Sequence, residues 1–175
     1  MQGAQSGMDE IRFTAIGIVR SPFKEAAGTP IQPRAARGVE GRVEVFPEYA
    51  EGLRDLGGFS HIILLCYMHL ARPFALRVQP YMETTTRGLF ATRSPSRPNP
   101  IGLSILRLVR VEGATLHVKD VDFIDGTPVL DIKPYVPRFD DGEDVQVGWL
   151  AARLRRLEET RDDGRFAQGA GEGGG

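Results

Sequence analysis

The sequence predicts a mainly β fold: a barrel of short strands with one amphipathic helix near the C-terminus. Three observations predict it. The 175 residues include 21 glycines and 12 prolines, a density of turn formers that favours short strands over long helices. Seven or eight short apolar or alternating segments lie between those turns, a number that suits a sheet closed on itself. Only one segment keeps helical periodicity over several turns, so helices do not alternate with strands and a doubly wound sheet is disfavoured.

The opening MQGAQSGMDE, residues 1–10, reads as a flexible leader, and GAGEGGG, residues 169–175, as a disordered tail. Residues 11–168 then form one domain with its own core. Residues 13–19 (FTAIGIV) alternate as a strand and stop at Ser21-Pro22. Residues 41–46 (GRVEVF) form a second strand, with Val43 and Val45 facing one way and Arg42 and Glu44 the other. Residues 47–56 read as one or two helical turns, because Pro47 suits a helix start and Tyr49, Leu53 and Leu56 recur at helical spacing. Residues 59–70 (FSHIILLCYMHL) are apolar nearly throughout and predict a central strand covered on both faces. Further strands are expected at residues 76–79, 88–92, 101–111, 115–121 and 129–132, with turns at Glu112-Gly113 and Asp125-Gly126. Residues 147–161 form the helix, with Leu150, Leu154 and Leu157 on one face.

Several chemistries are excluded early. Cys66 is the single cysteine, so there is neither an internal disulfide nor a thiolate zinc cluster. His61, His69 and His117 fit no metal-binding spacing, and no metal is expected. The longest apolar run, residues 62–68, is too short to span a membrane, and the N-terminus lacks a signal-peptide pattern. The cytoplasm is the expected location. There is no P-loop, no GxGxxG after a strand and no GxSxG, which sets aside nucleotide hydrolysis, Rossmann cofactors and hydrolase chemistry.

The net charge of −1 hides an uneven distribution. Between residues 71 and 110 stand seven arginines (72, 77, 87, 93, 97, 107 and 110) against Glu83 alone, while residues 111–148 carry nine acids against three bases. Such asymmetry can build a positive face suited to phosphates. The bland alternative is that the chain simply prefers arginine throughout, with 19 Arg to 3 Lys.

Two segments concentrate the polar chemistry. In residues 87–104 (RGLFATRSPSRPNPIGLS), Pro95, Pro98 and Pro100 alternate with Ser94, Arg97 and Asn99, and Arg93 precedes them. Proline fixes its own φ and restrains the residue before it. A loop stiffened in this way loses little entropy on binding, and arginine offers a planar fork for phosphate or carboxylate. In residues 120–135 (DVDFIDGTPVLDIKPY), Asp122, Asp125, Asp131 and Lys133 could meet a ligand's hydroxyls, amines or a sulfonium, although a plain turn at Asp125-Gly126 explains part of the pattern. His69 ends the apolar run, where a strand end can present it to a pocket or bury it as a structural residue.

With IGIVRSPFKE, PIQPRAARG and GLRDLGGFSHIILL, these two segments resemble the TsaA-like family, in family order over most of the chain. The resemblance implies a single-sheeted β-barrel, which with the patterning above gives an antiparallel barrel with short helices and one C-terminal amphipathic helix. It implies a homodimer that binds S-adenosylmethionine partly at the subunit interface. The implied activity is methyl transfer to N6 of threonylcarbamoyladenosine beside the anticodon of a threonine tRNA. Carried over by motif, the cofactor-binding residues are Gln32, Pro33 and Arg34, then His69 and Leu70, Arg93, Leu103, and the stretch Lys119, Asp120, Val121 and Asp122. Arg97, Asn99, Asp131 and Lys133 fall on the substrate side or in the scaffold. Asp122 or Asp131 would accept the N6 proton, and the sequence does not choose between them. Bacterial members add a C-terminal tRNA-contacting region, where this chain offers one helix and a Gly-rich tail. The remaining alternatives are a non-catalytic regulatory module that binds S-adenosylmethionine or RNA, and a methyltransferase acting on another RNA or a small acceptor.

Overall fold

The computed structural model describes residues 11–30, 33–81, 84–152 and 161–163. Eight strands appear: β1 (Gly17–Arg20), β2 (Glu40–Val45), β3 (His61–Tyr67), β4 (Arg77–Val78), β5 (Arg87–Gly88), β6 (Ile101–Glu112), β7 (Thr115–Lys119) and β8 (Pro128–Pro134). Six of them close a barrel in the order β1-β2-β7-β6-β3-β8, every neighbour antiparallel. The other two, β4 and β5, pair as a separate hairpin. The expected closed, mainly β fold is therefore the observed one.

Alternation decides which side chains fill the barrel. Val19, Val43, Val45, Ile62, Leu64, Cys66, Leu106, Leu108, Leu116, Val118 and Val129 point inward and are buried. Leu53 and Leu56 join the same core from the connection between β2 and β3. That connection is made of 3-10 turns, Pro47–Leu53 and Leu56–Gly58, rather than an α-helix. Gly113, at φ +58°, and Gly126, at φ +81°, occupy the two expected turns, where a left-handed backbone favours glycine.

Three expectations are corrected. β3 buries only its inward face; His61, Ile63 and Leu65 are half-buried and Tyr67 is exposed on the outside. A barrel strand has one core side, so an apolar run here does not mean two. The strand expected at residues 88–92 is a two-residue strand followed by the 3-10 turn Leu89–Ala91, because Leu89 plunges into the interior and the Thr92 hydroxyl closes the turn on the Leu89 carbonyl at 2.7 Å. The first strand starts at Gly17, four residues later than expected. The helix expected at residues 147–161 is seen only at its start, as 3-10 turns over Gly148–Ala152; residues 153–160 lie outside the described residues, as do the leader and the tail. No described helix is long and apolar enough to cross a membrane.

Candidate functional site

Because neighbouring strands alternate in direction, one rim of the barrel collects the ends of β1, β3 and β7 and the starts of β2, β6 and β8. The three connections leaving that rim surround a cleft of about 350 Å³. Residues 26–30 come from the first connection. Residues 68–71 and the proline-stiffened loop 92–97 come from the second, and Asp122, Phe123, Ile124 and Thr127 from the third. The start of β6, Ile101–Ser104, forms the wall between them. Asp162 also reaches the lip, tied through its backbone to Gly28 at 2.7 Å and Thr29 at 2.8 Å.

Asp122 occupies the cleft wall with both carboxylate oxygens facing the Ser104 hydroxyl, which donates at 2.8 and 3.0 Å. Burial pushes the Asp122 carboxyl up to about 7, against the pull of the Ser104 hydroxyl, its own backbone N–H and the Arg93 charge. Burial also lowers the pKa of His69, with the Tyr67 backbone pulling the other way, so its imidazole is neutral at neutral pH. Beneath the cleft, burial and the nearby Asp122 charge raise the Cys66 thiol well above its usual range, which leaves it unreactive. Ser94 is 6% exposed and its hydroxyl, which lines the cleft, has no hydrogen-bond partner among the described residues. Such a group is costly to bury unless something bonds to it. Gly102 lets Met68 and Phe123 pack closely against the cleft wall: a Cβ there would meet the Met68 sulfur at 2.5 Å and the Phe123 ring at 3.1 Å.

Of the residues singled out in the sequence, His69, Leu70, Arg93, Arg97, Leu103 and Asp122 converge on this cleft. Pro33 and Arg34 belong to the 3-10 turn Pro33–Ala36 in the first connection, and Gln32 lies outside the described residues. The other members of residues 119–122 do not line the cleft. Lys119 pairs with Glu40 at 3.1 Å, and Val121 is fully buried in the core. Asp120 takes the left-handed φ of +70° and accepts the Gly38 N–H at 2.6 Å and Arg107 at 3.2 Å. Asn99 is exposed outside the cleft. Asp131 and Lys133 pair with each other at 2.7 Å beside the outward-facing Leu65 and Ile63. Sequence reading passed over Ser104, yet it left a trace there: a hydroxyl on the inward face shared with Leu106 and Leu108. For Thr29, Tyr81 and Asp162, nothing in the local pattern marks them. Among the described residues, no cluster of three or more histidine, cysteine or acidic side chains could hold a metal.

A family model described as the tRNA-methyltransferase O N-terminal domain matches residues 18–141. A Pyrococcus abyssi protein named as a probable S-adenosyl-L-methionine-binding protein is 56% identical over 89% of this chain and 85% of its own length. The tRNA (adenine(37)-N6)-methyltransferase of Escherichia coli is 38% identical over 74% of this chain and 60% of its own. The crystal structure of TrmO from Pseudomonas aeruginosa superposes with a TM-score of 0.69 at 39% identity, covering 80% of this chain and 62% of that one. The chain thus spans about three fifths of the length of these last two proteins.

Proposed function

The chain belongs to the tRNA-methyltransferase O N-terminal domain family, and from that membership and the cleft we propose an S-adenosylmethionine-dependent enzyme that methylates N6 of the adenine beside a tRNA anticodon. The acceptor is threonylcarbamoyladenosine in a threonine tRNA, and the reaction takes place in the cytoplasm. The relatives' names support the cofactor and the tRNA; the motifs of the sequence support the finer substrate.

The cleft suits the cofactor on its own terms. Its volume of about 350 Å³ lies within the range of small-molecule sites, roughly 300–1,000 Å³. Arg93 and the Ser94 hydroxyl are a fitting pair for the carboxylate of the methionine portion. A neutral His69 offers an aromatic wall without repelling a cationic sulfur. When bound, the cofactor supplies an electrophilic methyl on that sulfur, so the N–C bond forms as the C–S bond breaks and the electron pair stays on sulfur.

The observation that carries the reading is the Asp122–Ser104 pair. Methylation of an exocyclic amine releases one N–H proton, and a carboxylate poised near neutrality is well matched to receive it. Asp122 has that poise and borders the cleft; Asp131 is outside, held by Lys133. Ser104 acts as a positioning residue, fixing the carboxylate through its hydroxyl. The site brings acceptor and base together, and alignment supplies much of the rate.

A homodimer belongs to the same reading. The outer face of β3 and β6 presents Ile63, Leu65, Tyr67, Ile101, Leu103 and Ile105, paired across the two strands. Four of these are more than a third exposed, and Ile101 and Leu103 also border the cleft. A second copy of the chain would cover the stripe and close the cofactor site from the side.

Calorimetry with S-adenosylmethionine, followed by incubation with labelled cofactor and threonine tRNA, tests the proposal. The expected result is cofactor binding and transfer only to the threonylcarbamoylated tRNA, at a rate that rises with pH toward about 7. No binding at millimolar cofactor would overturn it. Binding without transfer would favour a second reading, a cofactor-binding module, which the near full-length match to the Pyrococcus abyssi protein supports.

A further inference from the structure

The cleft of about 350 Å³ does not account for Phe90, which is not part of its lining. That ring is 73% exposed on a turn that is firmly anchored. Leu89 is buried, its N–H donates to the Leu76 carbonyl at 2.9 Å, and its carbonyl accepts the Thr92 hydroxyl at 2.7 Å. On the other side, the Trp149 indole N–H donates to the Ala91 carbonyl at 2.9 Å. Phe90 is therefore presented to solvent by a fixed backbone rather than left out by a loose one. A rigid aromatic loses little freedom when something stacks on it.

Arg97 completes the feature. Its guanidinium carbon lies 5.6 Å from the Phe90 ring centre, and the group donates to the Thr92 carbonyl at 2.9 Å and the Leu89 carbonyl at 3.5 Å. These partners hold the guanidinium in place, and among the described residues none of its partners is a carboxylate. Arg97 also lines the cleft, so the ring stands one side chain away from the cleft lining. An open π-face beside a fixed positive charge matches the two things an unpaired nucleotide offers, a base face and a phosphate. A duplex hides its base faces in the stack and would use only the charge.

We propose that Phe90 and Arg97 form a stacking platform for an unpaired nucleotide adjoining the acceptor adenine. The inference rests on the methyltransferase reading and gives it an RNA contact within the barrel domain itself.

The test uses the whole chain and an anticodon stem-loop RNA, with binding followed by fluorescence anisotropy and cofactor affinity by calorimetry. Phe90→Leu keeps an apolar side chain and removes the π-face; it should weaken RNA binding roughly tenfold, while Phe90→Trp keeps it within about twofold. Cofactor affinity should not change in either variant. Arg97→Gln should reduce the slope of log affinity against log salt by about one. RNA affinity and methyl transfer unchanged in Phe90→Leu would overturn the platform and leave the methyltransferase reading standing. A wild-type chain that neither binds nor methylates the RNA would overturn both. If Phe90→Leu instead converted a dimer to a monomer, with RNA affinity lost only in step with dimerisation, the patch would be a subunit contact and the platform would be wrong.

Discussion

At Ser94 the proline-stiffened loop encloses a hydroxyl that has no hydrogen-bond partner among the described residues. Burying such a group without a partner costs about 1–3 kcal/mol, and a bond to a bound carboxylate would recover it. Ser94→Ala should therefore act with opposite signs on two measurements. Urea unfolding of the cofactor-free chain should show it more stable by about 1 kcal/mol, and calorimetry should show S-adenosylmethionine bound about tenfold more weakly. Loss of both stability and affinity would mark Ser94 as merely structural. Asp122 permits a second residue-level prediction. Burial raises its pKa from 3.8 to about 7, so between those values the folded chain holds a proton that the unfolded chain has released. Its contribution to stability is complete below the unfolded value and is lost as pH rises through about 7. Denaturation midpoints compared across pH 4 to 8 should fall with rising pH in the wild type relative to Asp122→Asn. Parallel profiles would mean that Asp122 is not perturbed.

Among the elements, the corner after β7 shows how a single residue delivers the site. Asp120 turns the chain in the left-handed region, which sends Val121 into the core and Asp122 to the cleft wall. Its carboxylate fixes the corner through Gly38 and Arg107; burial would raise its pKa, but these partners outweigh burial and hold it below the usual range. Asp120→Ala loses that acceptor and adds a strained φ, so it should destabilise the chain by about 2 kcal/mol in urea unfolding. Asp120→Asn, which tolerates the conformation and keeps an acceptor, should cost less than half as much. Equal costs would show that the corner does not depend on this side chain. Sequence patterning carried the strands well, since alternation at Val43, Val45 and Leu116 is a local signal of a barrel wall. It also carried the stiff loop of residues 92–97, because proline restricts the backbone whatever surrounds it. It did not separate Asp120 from Asp122. Which of them meets the cleft depends on the left-handed corner at Asp120, whose carboxylate accepts the N–H of Gly38, 82 residues earlier. Nor could it foresee the turn at Leu89–Ala91, whose hydrogen bonds reach to Leu76 and Trp149.

Over the whole molecule, the outside of the barrel is divided. Across β1, β2, β7 and the second half of β6 it is laced with ion pairs: Arg20–Glu44 at 2.8 Å, Arg107–Asp120 at 3.2 Å and Arg110–Glu112 at 3.3 Å. Across β3 and the first half of β6 it is apolar, the feature that made residues 59–70 read as covered on both sides. A stripe of paired Ile63–Ile105, Leu65–Leu103 and Tyr67–Ile101 is an apolar patch of the kind that marks an interaction surface. Two such stripes related by a two-fold axis are self-complementary, and the same patch then serves both subunits. Ile105 is the sharpest probe because it faces outward and stands apart from the cleft. A lysine there leaves the core intact but would bury an unpaired charge in the interface, a loss of about 3 kcal/mol or more, equivalent to at least roughly a hundredfold in dimer affinity. Sedimentation should find a dimeric wild type and a monomeric Ile105→Lys with an unchanged unfolding midpoint for the isolated barrel. Cofactor affinity should fall in the same variant, although Ile105 touches no part of the cleft, because Ile101 and Leu103 belong to both surfaces. A wild type that sediments as a monomer would leave the stripe without its proposed cover. A monomeric variant with unaltered cofactor affinity would show that each cleft is complete within one chain.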